Sequence, residues 1–322
     1  MDEQYLIEVK NLKKYFGGGG FLNKKPVIKA VDDVSFSIAK GETFGLIGES
    51  GCGKSTVART MIRLYNPTAG SVIFEGTDIA KLGENELIPY RRRIQMIFQD
   101  PYASLDPRMT VKRIVSEPLT AHDICPMSEY EERVAESLRM VGLEPAHMGK
   151  YPHEFSGGQR QRIGIARAII TRPDFIICDE PISALDVSIQ AQVVNMLQSL
   201  QEQMKLTYCF IAHDLAMVKY ISKHMAVMYV GQLVEVSPSE ELYRTPLHPY
   251  TIGLMGAIPI ADPRIAQMKD DVSIKGEIPS PSNPPSGCRF RTRCPFVRDV
   301  CKEVIPKLKE ITPNHFVACH LF

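Results

Sequence analysis

The chain has 322 residues, of which 44% are hydrophobic and 23% charged, and its formal net charge is +1. That length allows one large domain with an appendage, or two domains. Near-neutrality removes the electrostatic case for nucleic acid or anionic lipid as the main partner. The opening MDEQYLIEVK has neither a basic segment nor an apolar core, so no signal peptide is expected. No apolar run approaches the roughly 18 to 20 residues of a bilayer span; IGLMGAIPIA comes nearest and a proline interrupts it. The expectation is a cytoplasmic chain with reduced thiols, whose membrane role, if any, passes through another protein.

From residue 5 to about 47, YLIEVKNLKKYF and VIKAVDDVSFSIAKGETFGLIG alternate apolar and polar residues and predict strands. The glycine run Gly17 to Gly20 between them reads as a flexible hairpin tip or linker. KSTVARTMIRLY, residues 54–65, predicts a helix directly after a glycine-rich turn. Residues 101–165 are helical and loop-rich, with SEYEERVAESLRMVGL as their clearest amphipathic helix. Apolar strands return at DFIICDE and YCFIAHD around the helix SIQAQVVNMLQSLQEQM. That order implies a parallel α/β sheet with crossovers. After about residue 235, prolines concentrate in SPSEELYRTPLHPY and KGEIPSPSNPPSGC, which reads as a loop-rich C-terminal extension rather than more sheet.

The stretch GESGCGKST, residues 48–56, fits G-x-x-x-x-G-K-[ST] between a predicted strand and a predicted helix. Gly48, Ser50, Gly51, Cys52 and Gly53 offer a turn whose backbone N–H groups face phosphate oxygens, and the start of the predicted helix, with Thr56 in its first turn, adds partial positive charge. Lys54 is placed to reach the β- and γ-phosphates and Ser55 to ligate Mg²⁺. FIICDE, residues 175–180, ends an apolar strand in two carboxylates. Asp179 can hold Mg²⁺ through water and Glu180 can polarise an attacking water. Without the phosphate loop, the same pair would be read as a solvated loop entrance. Between these elements, EFSGGQRQRIGIARA opens a helix with Ser156, Gly157, Gly158 and Gln159, a second anion-binding cap. A chain that already has one complete phosphate site gains most from the second if it serves a nucleotide held by another subunit.

With these motifs in place, the sequence resembles the ATP-binding subunits of ABC transporters over residues 5 to about 235. Six motifs fall in the family's order: residues 48–56, Gln99 in IFQDP, FSGGQ at 155–159, CDE at 178–180, SALD at 183–186 and His213 in IAHD. Phe155 stands where the family usually has leucine. The resemblance implies an α/β P-loop NTPase fold: an ABC-type ATPase core with an antiparallel β subdomain and a helical subdomain at about 101–165. It also implies that Gln99 contributes to Mg²⁺ and senses the γ-phosphate, that His213 contacts the γ-phosphate, and that Ser183 to Asp186 line a dimer interface. An aromatic near residue 16 should stack on adenine, Phe16 or its neighbour Tyr15. Two such subunits would sandwich two ATP molecules head to tail, with Glu180 as general base, and would drive separate membrane subunits docked at the helical insert.

DEPISALDVSIQAQVVNMLQSLQ, RTPLHPYTIGLMGAIP and GEIPSPSNPPSGCRFRTRCP further resemble the oligopeptide/dipeptide importer branch, as the second of an unlike ATPase pair. The resemblance then implies a cassette at 1–235 and an extension at 236–322 that carries a four-cysteine cluster. The implied partners are a paralogous ATP-binding subunit, two transmembrane permease subunits and an extracytoplasmic peptide-binding protein. The implied location is peripheral, on the cytoplasmic face of the cell membrane. Nickel and some sugar importers share the branch. A soluble ABC ATPase of DNA repair or translation would call for a coiled-coil insert, tandem cassettes or a basic face, none of which is visible. An exporter cassette would usually be fused to its membrane segments.

Half of the eight cysteines fall in the last 35 residues: Cys288, Cys294, Cys301 and Cys319, separated by 5, 6 and 17 residues. Four thiols are a full ligand set for zinc or for an iron–sulfur cluster. The absence of a tight C-x₂₋₄-C pair favours the cluster, and Arg289, Arg291 and Arg293 are placed to offset thiolate charge. Related peptide-importer subunits carry a [4Fe–4S] cluster on a matching set, so the resemblance implies one here. Four unligated thiols remain the plain alternative.

Overall fold

The computed structural model describes residues 5–18, 26–257 and 274–322. In chain order, β1 (Tyr5–Phe16), β2 (Ile28–Ala39), β3 (Thr43–Ile47), α1 (Lys54–Met61), β4 (Ala69–Phe74) and β5 (Thr77–Asp78) come first. Next are α2 (Glu84–Arg93), β6 (Ile94–Ile97), α3 (Val111–Ala121), α4 (Tyr130–Met140), α5 (Gly157–Ile169), β7 (Phe175–Asp179), α6 (Val187–Met204) and β8 (Thr207–Ile211). Then come α7 (Leu215–Ile221), β9 (His224–Tyr229), β10 (Gln232–Pro238), α8 (Ser239–Arg244), α9 (Pro249–Gly256), α10 (Val300–Glu303), β11 (Lys309–Thr312) and β12 (His315–Val317). Part of the glycine run, Gly19 and Gly20, and the end of IGLMGAIPIA lie outside the described residues.

The chain divides into two compact units. One takes in the start of the chain up to Leu6, with Ile38–Thr43 and Lys81–Ala212. Within it β6, β7 and β8 form a parallel ladder, with Ile94 opposite Phe175 and Phe175 opposite Thr207. Every residue of β7 and β8 is buried, as expected for parallel strands covered on both faces. α6 makes the connection between them. α3, α4 and α5 pack together through apolar faces at helical spacing: Val111, Ile114, Val115 and Leu119, then Val134 and Leu138, then Ile163 and Ala166.

The second unit comprises Ile7–Ser37, Phe44–Ala80 and His213–Phe322. One of its sheets has the order β2-β1-β4-β5, with β1 antiparallel to β4 and β4 to β5. This is the expected antiparallel subdomain. In the other ladder, β3 runs parallel to β9, β10 pairs antiparallel with β9, and β12 pairs antiparallel with both β10 and β11. Here the expectation of an extension without further sheet is corrected. β12 adds Val317 and Phe316 opposite Glu235 and Val236, because β10 would otherwise leave an open edge of unpaired backbone groups. The first helix also ends sooner than its pattern predicts, at Met61. Arg63 turns into the left-handed region at φ 58 and donates to the carbonyl oxygens of Ile79 and Ala80 at 2.8 and 2.6 Å. Among the described residues, no helix is long and apolar enough to cross a membrane.

Candidate nucleotide and cysteine sites

The phosphate loop joins β3 to α1. Gly48 has φ 149 and Gly53 φ 113. A Cβ at either would come within 2.2 Å of a backbone oxygen, of Met228 and of Ala30 respectively, so only glycine fits. Gly53 caps α1 without a side-chain hydrogen bond, and a helix start of this kind is suited to an anion. Lys54 is 4% exposed, and its ammonium donates to the carbonyls of Gly48 at 2.7 Å and Glu49 at 3.1 Å. Its charge therefore sits over the loop. Ser50 and Gly51 are exposed, Cys52 is buried, and Ser55 and Thr56 are half-buried in the first turn. Burial raises the Cys52 thiol pKa, so this loop residue is a neutral packing group.

In the other unit, Asp179 is the buried last residue of β7. The next residue, Glu180, takes φ 49, a left-handed conformation that costs a side-chain-bearing residue of order 1 kcal/mol. The strained turn is held by the Glu180 N–H donating to the Ile211 carbonyl at 2.9 Å. The Ser183 hydroxyl also donates to the Glu180 carbonyl, at 3.1 Å. Gln99 and Glu180 are brought together: the Gln99 amide donates to the Glu180 carboxylate at 2.7 Å. Ser156 caps α5. Its hydroxyl accepts from the Gln159 N–H at 3.3 Å while the Gln159 side-chain oxygen accepts from the Ser156 N–H at 3.0 Å, a complete capping box. Gly158 lies against α6, where a Cβ would meet Ile189 at 2.7 Å. Phe155 is buried, edge-on to His147, and fills an apolar role.

In the second unit, exposed His213 precedes Asp214, whose carboxylate caps α7. Phe16 stands edge-on to Tyr65 at 5.4 Å, with the Lys14 ammonium 4.9 Å from its ring centroid. Tyr15, the alternative, donates its hydroxyl to Asp32. Burial and that carboxylate push the phenol up to about 12.

Cys288, Cys294, Cys301 and Cys319 are free thiols lining one small cavity of about 10 Å³, roughly the room of a single water. Burial pushes Cys288 up to about 11 and raises Cys294 and Cys319, with neighbouring thiols adding to each shift. Among the described residues no group of three or more His, Cys, Asp or Glu side chains is arranged to hold a metal ion. The structure thus brings the four cysteines to one place but supports neither a zinc site nor an iron–sulfur cluster there. The reading of Arg289 and Arg293 is also corrected, while Arg291 lines the cavity beside the thiols. Arg289 pairs with Asp32, Arg293 with Glu49, and Arg291 donates to the Ser286 carbonyl. A buried guanidinium is better satisfied by a bidentate carboxylate than by protonated thiols. Glu49 and Tyr250 were not singled out from the sequence, and Arg293 was singled out only as a partner of the thiols. The only signal was a charged residue inside the phosphate loop and a run of arginines far along the chain.

A glycine-shaped phosphate loop, a strand-end carboxylate pair and a capped Ser-Gly-Gly-Gln helix define an ABC-type P-loop ATPase. Comparisons agree. The ABC transporter family matches residues 31–183, and the oligopeptide/dipeptide transporter C-terminal region matches residues 234–301. The oligopeptide transport ATP-binding protein AppF of Bacillus subtilis (strain 168) is 54% identical over 324 residues, covering 100% of this chain and 98% of AppF. The putative oligopeptide transport ATP-binding protein YkfD of the same organism is 56% identical, covering 98% and 95%. The ATP-binding cassette MJ0796, solved as a dimer in a post-hydrolysis state with ADP and Pi, aligns with TM-score 0.65 and 29% identity, over 72% of this chain and 98% of that one. The chain belongs to the ATP-binding subunits of the oligopeptide/dipeptide ABC transporter family, and is by that membership an ATPase.

Proposed function

We propose that this chain hydrolyses ATP to power import of di- or oligopeptides through a membrane-bound complex. The observation that carries the reading is the pairing of a complete phosphate loop with a C-terminal region matching the peptide-importer family. Lys54 and the loop N–H groups hold phosphates, Glu180 takes the proton of the attacking water, and Gln99 orients Glu180 and that water. His213 senses the γ-phosphate, and Phe16 stacks on adenine. Mg²⁺ typically keeps several waters and needs only one or two protein oxygens beside the phosphates. Ser55, Asp179 and the Gln99 side-chain oxygen are such hard donors, so the set fits the ion, which would neutralise charge on the phosphates.

Two phosphate-binding helix starts on one chain support an arrangement in which Ser156 to Gln159 serve a nucleotide held by a paralogous subunit, Ser183 to Asp186 lining the interface. Two permeases and a peptide-binding protein complete the assembly, with this chain peripheral on the cytoplasmic face and residues from about 236 forming its extension. Reconstituting the complex and measuring ATPase activity with added peptide tests the reading. Peptide-dependent stimulation is expected; stimulation by nickel or a sugar alone would replace the substrate class.

We propose that the four cysteines hold a [4Fe–4S] cluster, supported by their gathering around one cavity and by the lack of a tight C-x₂₋₄-C pair. Zinc would draw several sulfurs to about 2.3 Å from a single point, whereas a cluster spreads its thiolates over its irons. The small cavity means that loading would part the loops, which no sheet ladder restrains at Cys288 and Cys294. The group would be a structural staple for a segment with little core. Anaerobic purification with iron, sulfide and zinc analysis tests it. Iron and sulfide near four per chain are expected, and no metal would refute the site.

A further inference from the structure

The stretch Arg289 to Arg293 between the first two clustered cysteines is built into the back of the phosphate loop. Phe290 is 1% exposed and packs edge-on to Tyr229 at 5.2 Å and tilted against Tyr250 at 5.5 Å. Arg289 reaches the Val230 carbonyl and the Asp32 carboxylate. These contacts fix the segment, and from it Arg293 extends a guanidinium whose side chain is only 6% exposed. It grips Glu49 with both ends of the fork, Nη1 to Oε2 at 2.7 Å and Nη2 to Oε1 at 3.0 Å.

Glu49 is the second residue of GESGCGKST, and each of its polar parts is occupied. Its carboxylate is held by Arg293. Its N–H donates to the buried Tyr250 hydroxyl at 2.9 Å. Its carbonyl accepts from Lys54, the phosphate-binding cation, at 3.1 Å. The far side of the loop is tied as well, by the Gly231 N–H donating to the Cys52 carbonyl at 2.7 Å. A loop whose N–H groups must already point inward when ATP arrives gains affinity from such bracing, since the ordering cost is met before binding. A part-buried bidentate charge-assisted pair is a strong side-chain brace.

We propose that Arg293 is a positioning residue for the phosphate loop: through Glu49, with Tyr250 as the second hold, the C-terminal extension sets the affinity of this chain for ATP. This rests on the reading of residues 48–56 as the ATP phosphate loop. It does not depend on what the cysteines bind.

The test measures MgATP binding to the full-length chain and ATPase kinetics of the assembled transporter. Arg293→Ala is expected to raise the Kd for ATP on the order of tenfold, and adding Glu49→Gln should give little further loss, because coupled residues are not additive. Arg293→Lys should fall between, since an ammonium keeps the charge and loses the fork. In the transporter KM for ATP should rise with kcat within about twofold of wild type, whereas a loss of folded protein would lower kcat instead. Should Arg293→Ala not fold, Arg293→Lys and Glu49→Gln carry the same comparison. A Kd within twofold of wild type for all three single variants, multiplying losses in the double variant, or a fall in kcat alone would overturn the proposal. A wild-type chain that binds no ATP would overturn the phosphate-loop reading with it, while ATP binding indifferent to Arg293 would overturn this proposal alone.

Discussion

Three helix starts in this protein solve the same problem in different ways. The α1 start is capped by a glycine with no side-chain bond and has a lysine ammonium folded over the loop. The proposed reading gives its N–H groups and its cation to a phosphate. The α5 start is internally satisfied, Ser156 and Gln159 closing a reciprocal capping box, so it offers a dipole and little charge. The α9 start, Pro249–Gly256, is capped by His248, whose Nδ1 accepts from the Tyr250 N–H at 3.0 Å. On the proposed reading the first binds phosphate by itself and the second completes a site that other groups dominate; the third holds Tyr250, whose hydroxyl accepts from the Glu49 N–H of the phosphate loop.

The largest expected effect separates chemistry from all three starts. Glu180→Gln keeps the volume and an oxygen that can accept from Gln99, and removes only the base. ATP binding should persist while hydrolysis by the assembled transporter falls about 10²- to 10⁴-fold. Single-turnover measurement checks this, and hydrolysis at the wild-type rate would remove Glu180 from the mechanism.

The α9 start is the titratable one. Burial depresses His248 to about 4, opposed by the nearby Glu235 carboxylate. Its ring must stay neutral, because a protonated Nδ1 cannot accept from Tyr250. A depressed folded-state pKa gives stability that is full above the unfolded value near 6.5 and is lost as pH falls toward 4. The loss should reach about 3 kcal/mol at pH 4. Urea unfolding at pH 7, 5.5 and 4 measures it. His248→Asn, with a cap that does not titrate over that range, should flatten the profile.

Lys54→Ala tests the α1 start. Removing a charge-assisted donor costs about 1.5 to 3 kcal/mol, so ATP binding to the full-length chain should weaken roughly 10- to 100-fold. Titration with ATP in the presence of Mg²⁺ reads this directly. Unchanged affinity would mean that the loop N–H groups alone carry the binding.

How much of this was legible follows from the range of the interactions. The phosphate loop could be read because its constraints are local: Gly48 and Gly53 sit where no Cβ fits, within a few residues of Lys54. The Ser156 cap and the β7 carboxylates are local in the same sense. The Arg293–Glu49 pair spans 244 residues, and nothing in RFRTRC says that two of its arginines turn toward carboxylates rather than toward the thiols beside them. The pairing of β12 with β10 was equally hidden, since His315–Val317 is too short for alternation to show. Tyr15 was the alternative for stacking on adenine; its hydroxyl instead donates to Asp32, whose other carboxylate oxygen accepts from Arg289 at the far end of the chain.

The smallest effect falls on the α5 start and decides whether its difference from α1 matters. Ser156→Ala removes the oxygen that accepts from the Gln159 N–H. Because that bond is long, at 3.3 Å, and exposed, the cost to folding should be about 1 kcal/mol or less. ATP binding to this chain alone should stay within about twofold of wild type, since Lys54 and its loop are untouched. In the assembled transporter the freed N–H loses its orienting partner, and an anion held by the paired subunit loses the serine hydroxyl. Hydrolysis at the site whose phosphate loop lies on that subunit should then fall more than the modest folding cost explains. Pairing Ser156→Ala with the equivalent of Lys54→Ala in the other subunit gives the decisive reading. If both changes act on one shared site, the double variant should be no slower than the lysine variant alone. Multiplying losses would mean that Ser156 supports its own fold and no neighbour's nucleotide.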